Sequence, residues 1–170
     1  MEKKSEAWLS GPIEGVPALL QPVAHALKQS NEEIHAMLKD FPDGKLWEKP
    51  ADVASAAFHI QHIPGVLDRL FSYSKGLPIS NAQLKYLSEE GLEVAGITKE
   101  QLLENLTNKI NESVEYLKTV NPDALTEIRT VGRKNVPSTV LGLLFHAAEH
   151  TMRHTGQLLV TTRILMYEPG

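Results

Sequence analysis

The sequence predicts an all-α protein: an up-down four-helix bundle with long connections between helices 2 and 3 and between helices 3 and 4. Proline and glycine interrupt the chain only at wide intervals, which favours long helices over short strands. Four segments of roughly 23–30 residues carry apolar residues at helical spacing, and only mutual packing could bury four such stripes. Because the 170 residues show no internal repeat and no shift in composition, we expect residues 1–170 to form a single domain.

The first two predicted helices lie in the first half of the chain. The first covers residues 16–41 and ends before a Pro-Asp-Gly turn. The second covers residues 52–75, where Asp52 is a candidate N-cap and Gly76 a candidate C′ residue. Pro64 falls inside this second helix, and its nitrogen cannot donate a backbone hydrogen bond. We therefore expect a kink or a local break there.

The third and fourth predicted helices lie in the second half. The third covers residues 98–120 and opens with a capping-box pattern from Thr98 to Gln101. The fourth covers residues 137–167, and Pro137 suits the first turn of a helix. Apolar residues at three- and four-residue steps support both assignments.

Two longer connections separate these helices. Residues 77–97 contain a short predicted helix, residues 81–90, which we expect to pack across the end of the bundle. Residues 123–136 alternate apolar and polar side chains, a pattern typical of an extended chain. This second connection is predicted to be either a two-stranded ribbon or an extended loop.

Composition excludes several classes of function. The 17 Lys and Arg residues against 21 Asp and Glu residues give a net charge of −4, so we expect no nucleic-acid partner. No run of about 18 apolar residues occurs, which predicts no membrane partner and a cytoplasmic protein. The chain has no cysteine, which excludes disulfides, thiolate nucleophiles and sulfur-ligated metals. Any metal would therefore be held by His, Asp or Glu.

Five of the seven histidines fall on two predicted helices at helical spacing. His146, His150 and His154 repeat every four residues, and each such step turns the side chain by about 40° and raises it by about 6 Å. His150 and His154 share the inward apolar stripe, whereas His146 lies to one side of it. His59 and His62, three residues apart on the second helix, are also predicted to face inward.

A metal site is one interpretation of this cluster. A lone histidine on an apolar face is usually a hydrogen-bonded core residue. Several buried imidazoles, however, leave donors and acceptors without partners, and each such group costs roughly 1–3 kcal/mol. A shared cation would satisfy their ring nitrogens together. Glu32 and His35 suggest a different metal site, because they have the Glu-x-x-His spacing of carboxylate di-iron bundles, but no second such pair occurs. The histidines could also form a pH-responsive hydrogen-bond network without a metal.

Two segments resemble the DinB-like superfamily, which includes the YfiT type of metal-dependent hydrolases. HTMRHTGQ at residues 150–157 is similar to the family's helix with His-x-x-x-His followed by x-Gly-Gln. ASAAFHIQHI at residues 54–63 is similar to the segment that contains the family's third histidine ligand. The resemblance covers nearly the whole chain, with four helices in matching order and a long connection before the fourth.

The resemblance implies that His62, His150 and His154 bind one divalent metal ion, namely Zn, Ni or Fe. His59 is the alternative to His62, and is otherwise expected to donate to a ligand or to contact the substrate. His146 has no clear place in the motif and is expected only to line the site.

Several other residues are candidates for the surroundings of this site. Gly156 and Gln157 are interpreted as a helix–helix contact and an inward amide, respectively. Asp68 and Arg69 are expected to form an ion pair at the rim. Three charged residues of the last connection could reach the mouth of the site if that segment folds over it, namely Glu127, Arg129 and Arg133.

Three histidines without a carboxylate would leave coordination positions open, which is typical of catalytic rather than structural zinc sites. One possible reaction is hydrolysis of a small molecule by a metal-activated water. The resemblance favours S-transfer from a low-molecular-weight thiol, such as bacillithiol or mycothiol. Because the chain has no cysteine, that thiol would be a separate co-substrate.

The alternative function is a non-enzymatic metal- or ligand-binding stress protein with a structural or sensory site. A closed coordination sphere would favour this alternative, whereas an open position beside a cavity would favour catalysis. A bundle with one exposed apolar stripe is also compatible with a homodimer.

Overall fold

The computed structural model describes residues 6–167, which are mostly helical with one small two-stranded ribbon. The elements are α1 Gln21–Leu38, α2 Ala56–Ser74, α3 Asn81–Glu89, α4 Lys99–Thr119, β1 Ile128–Val131, β2 Val136–Thr139 and α5 Val140–Met166. The predicted predominance of long helices is confirmed. Across residues 6–167, no helix is both long enough and apolar enough to cross a membrane.

The core lies between the four long helices. α1 and α2 each pack against both α4 and α5. Helical periodicity turns an apolar side chain inward every three or four residues, and burying each large one contributes roughly 1.5–3 kcal/mol. Packing of these stripes therefore stabilises the helices more than intrinsic propensity does. Large side chains with no solvent exposure include Leu27, Ile34, Ile60, Leu67, Leu106, Leu117, Leu144 and Leu158.

Local chemistry defines both ends of α2. Ser55 is its N-cap, because the Ser55 hydroxyl accepts a hydrogen bond from the backbone N–H of Phe58 at 3.2 Å. The predicted cap, Asp52, is wrong: it lies outside the helix with a φ of 58°. The predicted role of Gly76 is confirmed, since its φ is 73° and its N–H donates to the carbonyl of Tyr73 at 2.9 Å.

Pro64 does not break α2. The helix continues from Ala56 to Ser74, so the predicted local break is wrong, while the kink stays a prediction. Pro64 and its neighbours Ile63 and Gly65 are all buried. Because α2 packs against both α4 and α5, tertiary contacts hold the turn in which proline removes one backbone hydrogen bond.

The last connection forms a ribbon rather than an extended loop, since β1 pairs antiparallel with β2. Pro137 lies in β2 opposite Thr130, so the prediction that it opens the fourth helix is wrong. α5 begins at Val140, and its N-cap Thr139 accepts a hydrogen bond from the N–H of Gly142 at 3.0 Å. The strand thus takes the residues that the sequence assigned to the first turn of the helix.

The other helices differ from the prediction mainly at their ends. α4 begins with the predicted capping box between Thr98 and Gln101. α1 begins at Gln21, because the preceding residues form a separate 3₁₀ turn, Ala18–Leu20. The short predicted helix is present as α3.

α3 lies against α2, and none of its residues is buried. A capping box between Ser80 and Gln83 begins the helix. The Gln83 amide also donates to the Asp68 carboxylate at 2.7 Å, and the Tyr86 hydroxyl donates to the carbonyl of Gln61 at 2.9 Å. Polar contacts to α2 are therefore what holds this helix in place.

Candidate metal centre

Three histidines converge where α2 and α5 pack together. His62 comes from α2, His150 and His154 come from α5, and one ring nitrogen of each lies within 4.8 Å of the others. Nε2 of His62 lies 3.0 Å from Nε2 of His150. Three imidazole nitrogens at this separation could hold a metal ion. The structure thus brings together the three residues that the family resemblance implies as ligands.

Helix geometry and an aromatic contact orient these rings. The four-residue step along α5 places the ring centroids of His150 and His154 4.5 Å apart. Phe58, one turn before His62 on α2, stacks on the His62 ring with a centroid distance of 5.0 Å and an interplanar angle of 15°. Phe58 therefore forms an apolar wall beside the histidines.

A buried carboxylate contacts the far nitrogen of His62. Nδ1 of His62 donates to Oε2 of Glu90 at 2.6 Å, and Arg69 donates to Oε1 of the same carboxylate at 2.6 Å. Burial opposes ionisation of Glu90, but hydrogen bonds from His62 and Arg69 outweigh it and lower the pKa of this carboxyl. Glu90 was missed as a site residue, because it follows the short helix α3 and shares no helical face with a histidine.

His59 contacts a different member of the cluster. Its Nδ1 lies 2.9 Å from Nδ1 of His154, and its side chain is almost completely buried. This contact agrees with the expectation that His59 is a hydrogen-bonding neighbour. Because the contact uses Nδ1 of His154, Nε2 of His154 takes no part in it.

Three of the histidines are held neutral. Burial, with the nearby His62, lowers the pKa of His59 from 6.5 to about 4. Burial and the neighbouring histidines lower the pKa of His150 to about 4 and that of His154 to about 3. At neutral pH these imidazoles therefore carry lone pairs, which metal binding requires.

The donor set fits a divalent ion. Zn–N bonds of about 2.0–2.1 Å in a tetrahedron place ligand nitrogens roughly 3.3 Å apart, close to the 3.0 Å between His62 and His150. Nδ1 of His150 is buried, and no residue in the described part of the chain offers it a hydrogen bond. Since Nε2 of His150 is the nitrogen that faces His62, this second nitrogen points to a water as its partner.

His146 lies at the rim, as predicted. Its side chain is 51% exposed, and its Nδ1 lies 3.3 Å from a carboxylate oxygen of Glu149. Arg153 donates to the other oxygen of Glu149 at 2.9 Å, and this hydrogen bond lowers the Glu149 pKa. These three side chains form a polar network along the surface of α5.

Asp68 and Arg69 do not pair with each other, so that prediction is wrong. Asp68 accepts from Lys109 of α4 at 2.9 Å, whereas Arg69 donates to Glu90. Consecutive residues on a helix point about 100° apart, so these two side chains reach different partners. Burial of Asp68 is outweighed by its bonds to Lys109 and Gln83, which lower its pKa.

The Gly-Gln pair that follows the histidines faces outward. Gly156 and Gln157 are both exposed, so the predicted helix–helix contact and inward amide are wrong. Gln157 is turned about 60° around the helix from His154, which carries it to the edge of the α2–α5 contact. Both residues line an open groove of about 450 Å³ that also borders His59 and Arg153.

The ribbon lies far from the histidines. Arg129 donates to the carbonyl of Ser74 at 3.0 Å and pairs with Glu127 at 2.8 Å. Ser74 ends α2, twelve residues and about 18 Å beyond His62. Arg133 lines a surface cavity at this same end of the helix. The expectation that these charged residues reach the mouth of the site is wrong.

Comparisons with known proteins show the fold and the family of this chain. The chain is similar to a crystal structure described as a conserved protein of locus from Enterococcus faecalis, with a TM-score of 0.72 and 18% sequence identity. The match covers 86% of this chain and 96% of that one, and at this identity it shows a shared fold. No curated protein matches the chain significantly. The family model of the DinB superfamily matches residues 26–158, most of the chain, and the protein belongs to that superfamily.

Proposed function

We propose that this protein binds one divalent metal ion through His62, His150 and His154 and is an enzyme that acts on a small molecule. The observation that carries the proposal is the convergence of one nitrogen from each histidine within 4.8 Å. In this proposal α1, α2, α4 and α5 form an up-down four-helix bundle, and the site lies on its α2–α5 side. Zn, Ni and Fe all suit imidazole ligands.

The ligand set favours catalysis. A divalent ion held by three neutral imidazoles would keep its full charge and would supply a Lewis acid with positions open to water or a thiol. His62 and His150 are only partly buried, so solvent and small molecules can approach their rings. His154 and its partner His59 lie deeper and close the inner side of the cluster.

The groove beside His59 is a suitable place for a substrate. Its volume of about 450 Å³ can hold part of a small molecule. Val53 and Val160 provide apolar walls, whereas the charge of Arg153 is already paired with Glu149. These features favour a substrate with an apolar part.

We propose S-transfer from a low-molecular-weight thiol as the reaction. The thiol sulfur would bond to an electrophilic carbon of the second substrate, a leaving group would depart with its electron pair, and the thiol proton would pass to solvent. The chain has no cysteine of its own, so the thiol is a co-substrate. Hydrolysis is the second candidate, because the partly exposed His62 and His150 leave water access to the same site.

Metal content tests the proposal. Protein purified without an affinity tag or chelator, and reconstituted with each ion in turn, should contain about one Zn, Ni or Fe per chain by elemental analysis. The single variants H62A, H150A and H154A should each fall well below one, because each removes one of three ligands. H35A is the matched control, since His35 is exposed on α1. Full metal content in all three single variants would refute the site.

A further inference from the structure

We propose that Glu90, held by Arg69, is a positioning residue that keeps the proton of His62 on Nδ1 and presents Nε2 of His62 to His150 and His154. The inference rests on the proposed metal site and adds to it a residue that lies on neither histidine helix. It gives the segment that follows α3 a direct role in the proposed metal site.

The hydrogen bond itself determines the tautomer. Oε2 of Glu90 lies 2.6 Å from Nδ1 of His62, and an ionised carboxylate can only accept hydrogen bonds. The ring proton must therefore reside on Nδ1, and in the neutral ring the lone pair is then on Nε2. That atom lies 3.0 Å from Nε2 of His150. A histidine ligand whose second nitrogen donates to a carboxylate is a recurring arrangement in metal sites, where it raises ligand basicity.

Arg69 keeps the carboxylate ionised and in place. The side chain of Glu90 is only 4% exposed, so its charge requires a buried partner. Nη1 of Arg69 donates to Oε1 at 2.6 Å, while His62 takes Oε2. The two oxygens of Glu90 thus have different closest partners, and both partners are donors. Nη2 of Arg69 also reaches Oε2, at the longer distance of 3.5 Å.

The backbone around Glu90 is anchored to α2 on both sides. Four residues earlier, the Tyr86 hydroxyl donates to the carbonyl of Gln61 at 2.9 Å. One residue later, the N–H of Gly91 donates to Oε1 of Gln61 at 2.9 Å. Gly65 leaves the space for this approach, because a Cβ at that position would clash with Oε1 of Glu90. The position of Glu90 is therefore set by several contacts that do not involve His62.

The substitution E90Q gives a sharp test. Arg69 has no acceptor, so the amide oxygen of the new side chain should face Arg69 and its NH₂ should face His62. That NH₂ would donate to Nδ1 and move the ring proton to Nε2, the proposed ligand atom. E89Q is the matched control, because Glu89 is the adjacent residue, is 53% exposed and pairs only loosely with Lys85 at 3.8 Å.

The experiment has two readouts on the full chain. Long-range ¹H–¹⁵N spectra of the metal-free protein give the His62 tautomer, and competition with a chromophoric chelator gives the affinity for Zn²⁺. We expect Nδ1–H in the wild type and E89Q, Nε2–H in E90Q, and roughly 10–100-fold weaker zinc binding in E90Q alone. An Nε2–H tautomer in the wild type would overturn the inference even if E90Q did not fold.

The two proposals fail in different ways. If the wild type binds zinc and E90Q changes neither tautomer nor affinity, Glu90 has no positioning role and the metal site still stands. If the wild type binds no metal while E90Q still inverts the His62 tautomer, the hydrogen-bond relationship is upheld and the proposed metal function is refuted.

Discussion

Oε2 of Glu90 lies 2.6 Å from Nδ1 of His62, although 28 residues separate them in the chain. The contact ties the segment after α3 to a histidine in the middle of α2. A buried carboxylate that accepts from an imidazole leaves the other ring nitrogen free to act as a ligand. The histidine cluster is therefore in contact with the segment that follows α3, a helix that contributes no residue to the hydrophobic core.

Zinc should stabilise the protein against heat. Free Zn²⁺ at 100 times its Kd should add about 2.7 kcal/mol, which raises Tm by roughly 5–10 °C for a chain of this size. Differential scanning calorimetry with and without Zn²⁺ measures the shift. H150A should abolish it, whereas H146A should retain it because His146 lies at the exposed rim. An equal shift in both variants would contradict the proposed ligand set.

Two glycines on opposite sides of the site should respond differently to alanine. In G65A the new Cβ would meet Oε1 of Glu90, Cε1 of Tyr86 at 2.7 Å and Nη1 of Arg69 at 2.9 Å, so these side chains must shift. We expect a loss of roughly 1–3 kcal/mol in the free energy of unfolding. G156A meets nothing within 4 Å and should gain about 0.5–1 kcal/mol, since alanine favours the helix.

Urea denaturation of both glycine variants checks this prediction. Equal stability of G65A and the wild type would show that α3 does not depend on its close approach to α2.

Removing the N-cap of α2 should lower the stability of the protein measurably. S55A removes the hydroxyl that accepts from the N–H of Phe58 and should lower the free energy of unfolding by about 1 kcal/mol. D52N is the control. Asn tolerates the positive φ of Asp52, so this variant should stay within about 0.5 kcal/mol of the wild type. If chemical denaturation showed a larger loss of unfolding free energy for D52N than for S55A, Asp52 rather than Ser55 would be the cap.

Acid should destabilise the metal-free protein in a defined pH window. The pKa of His59 and His150 falls from 6.5 to about 4 in the folded state, and that of His154 to about 3. Between about pH 6.5 and pH 4 the unfolded chain therefore binds more protons than the folded protein, so stability falls as pH falls. Above about pH 6.5 these groups contribute no pH dependence. The lowered pKa of Glu90 adds a further loss at the acidic end.

Unfolding free energies from urea titrations at several pH values measure this slope. H154Q should reduce the slope between about pH 4 and pH 6.5, because it removes one of the protonation differences. H35Q, at an exposed position on α1, should leave it unchanged. A wild-type stability that is flat across this window would show that the histidines are not buried in neutral form.

Much of the fold and the proposed ligand set could be predicted because the signals are local. Apolar periodicity predicts all the long helices, and the Thr98–Gln101 capping box marks the start of α4. The four-residue step from His150 to His154 places both rings on one helix face, whatever the rest of the chain does. The resemblance then supplied His62, which the structure places beside them.

Other features depended on which elements meet. Asp68 and Arg69 are adjacent in sequence, yet α4 provides the partner of the first and the segment after α3 the partner of the second. Pro137 suits a helix start by itself, but pairing with β1 draws it into a strand. In each case a contact between distant segments overrides the local preference.

The sequence by itself determined that this protein is built from long amphipathic helices and that His150 and His154 share a face, because both follow from the periodicity of one helix. Only the tertiary structure decided that Glu90 contacts His62 and that Arg69 contacts Glu90. It also decided that Gly156 and Gln157 face a groove. Those positions depend on the path of the segment that follows α3 and on the angle at which α5 meets α2. Such long-range packing leaves no periodic signal in the chain.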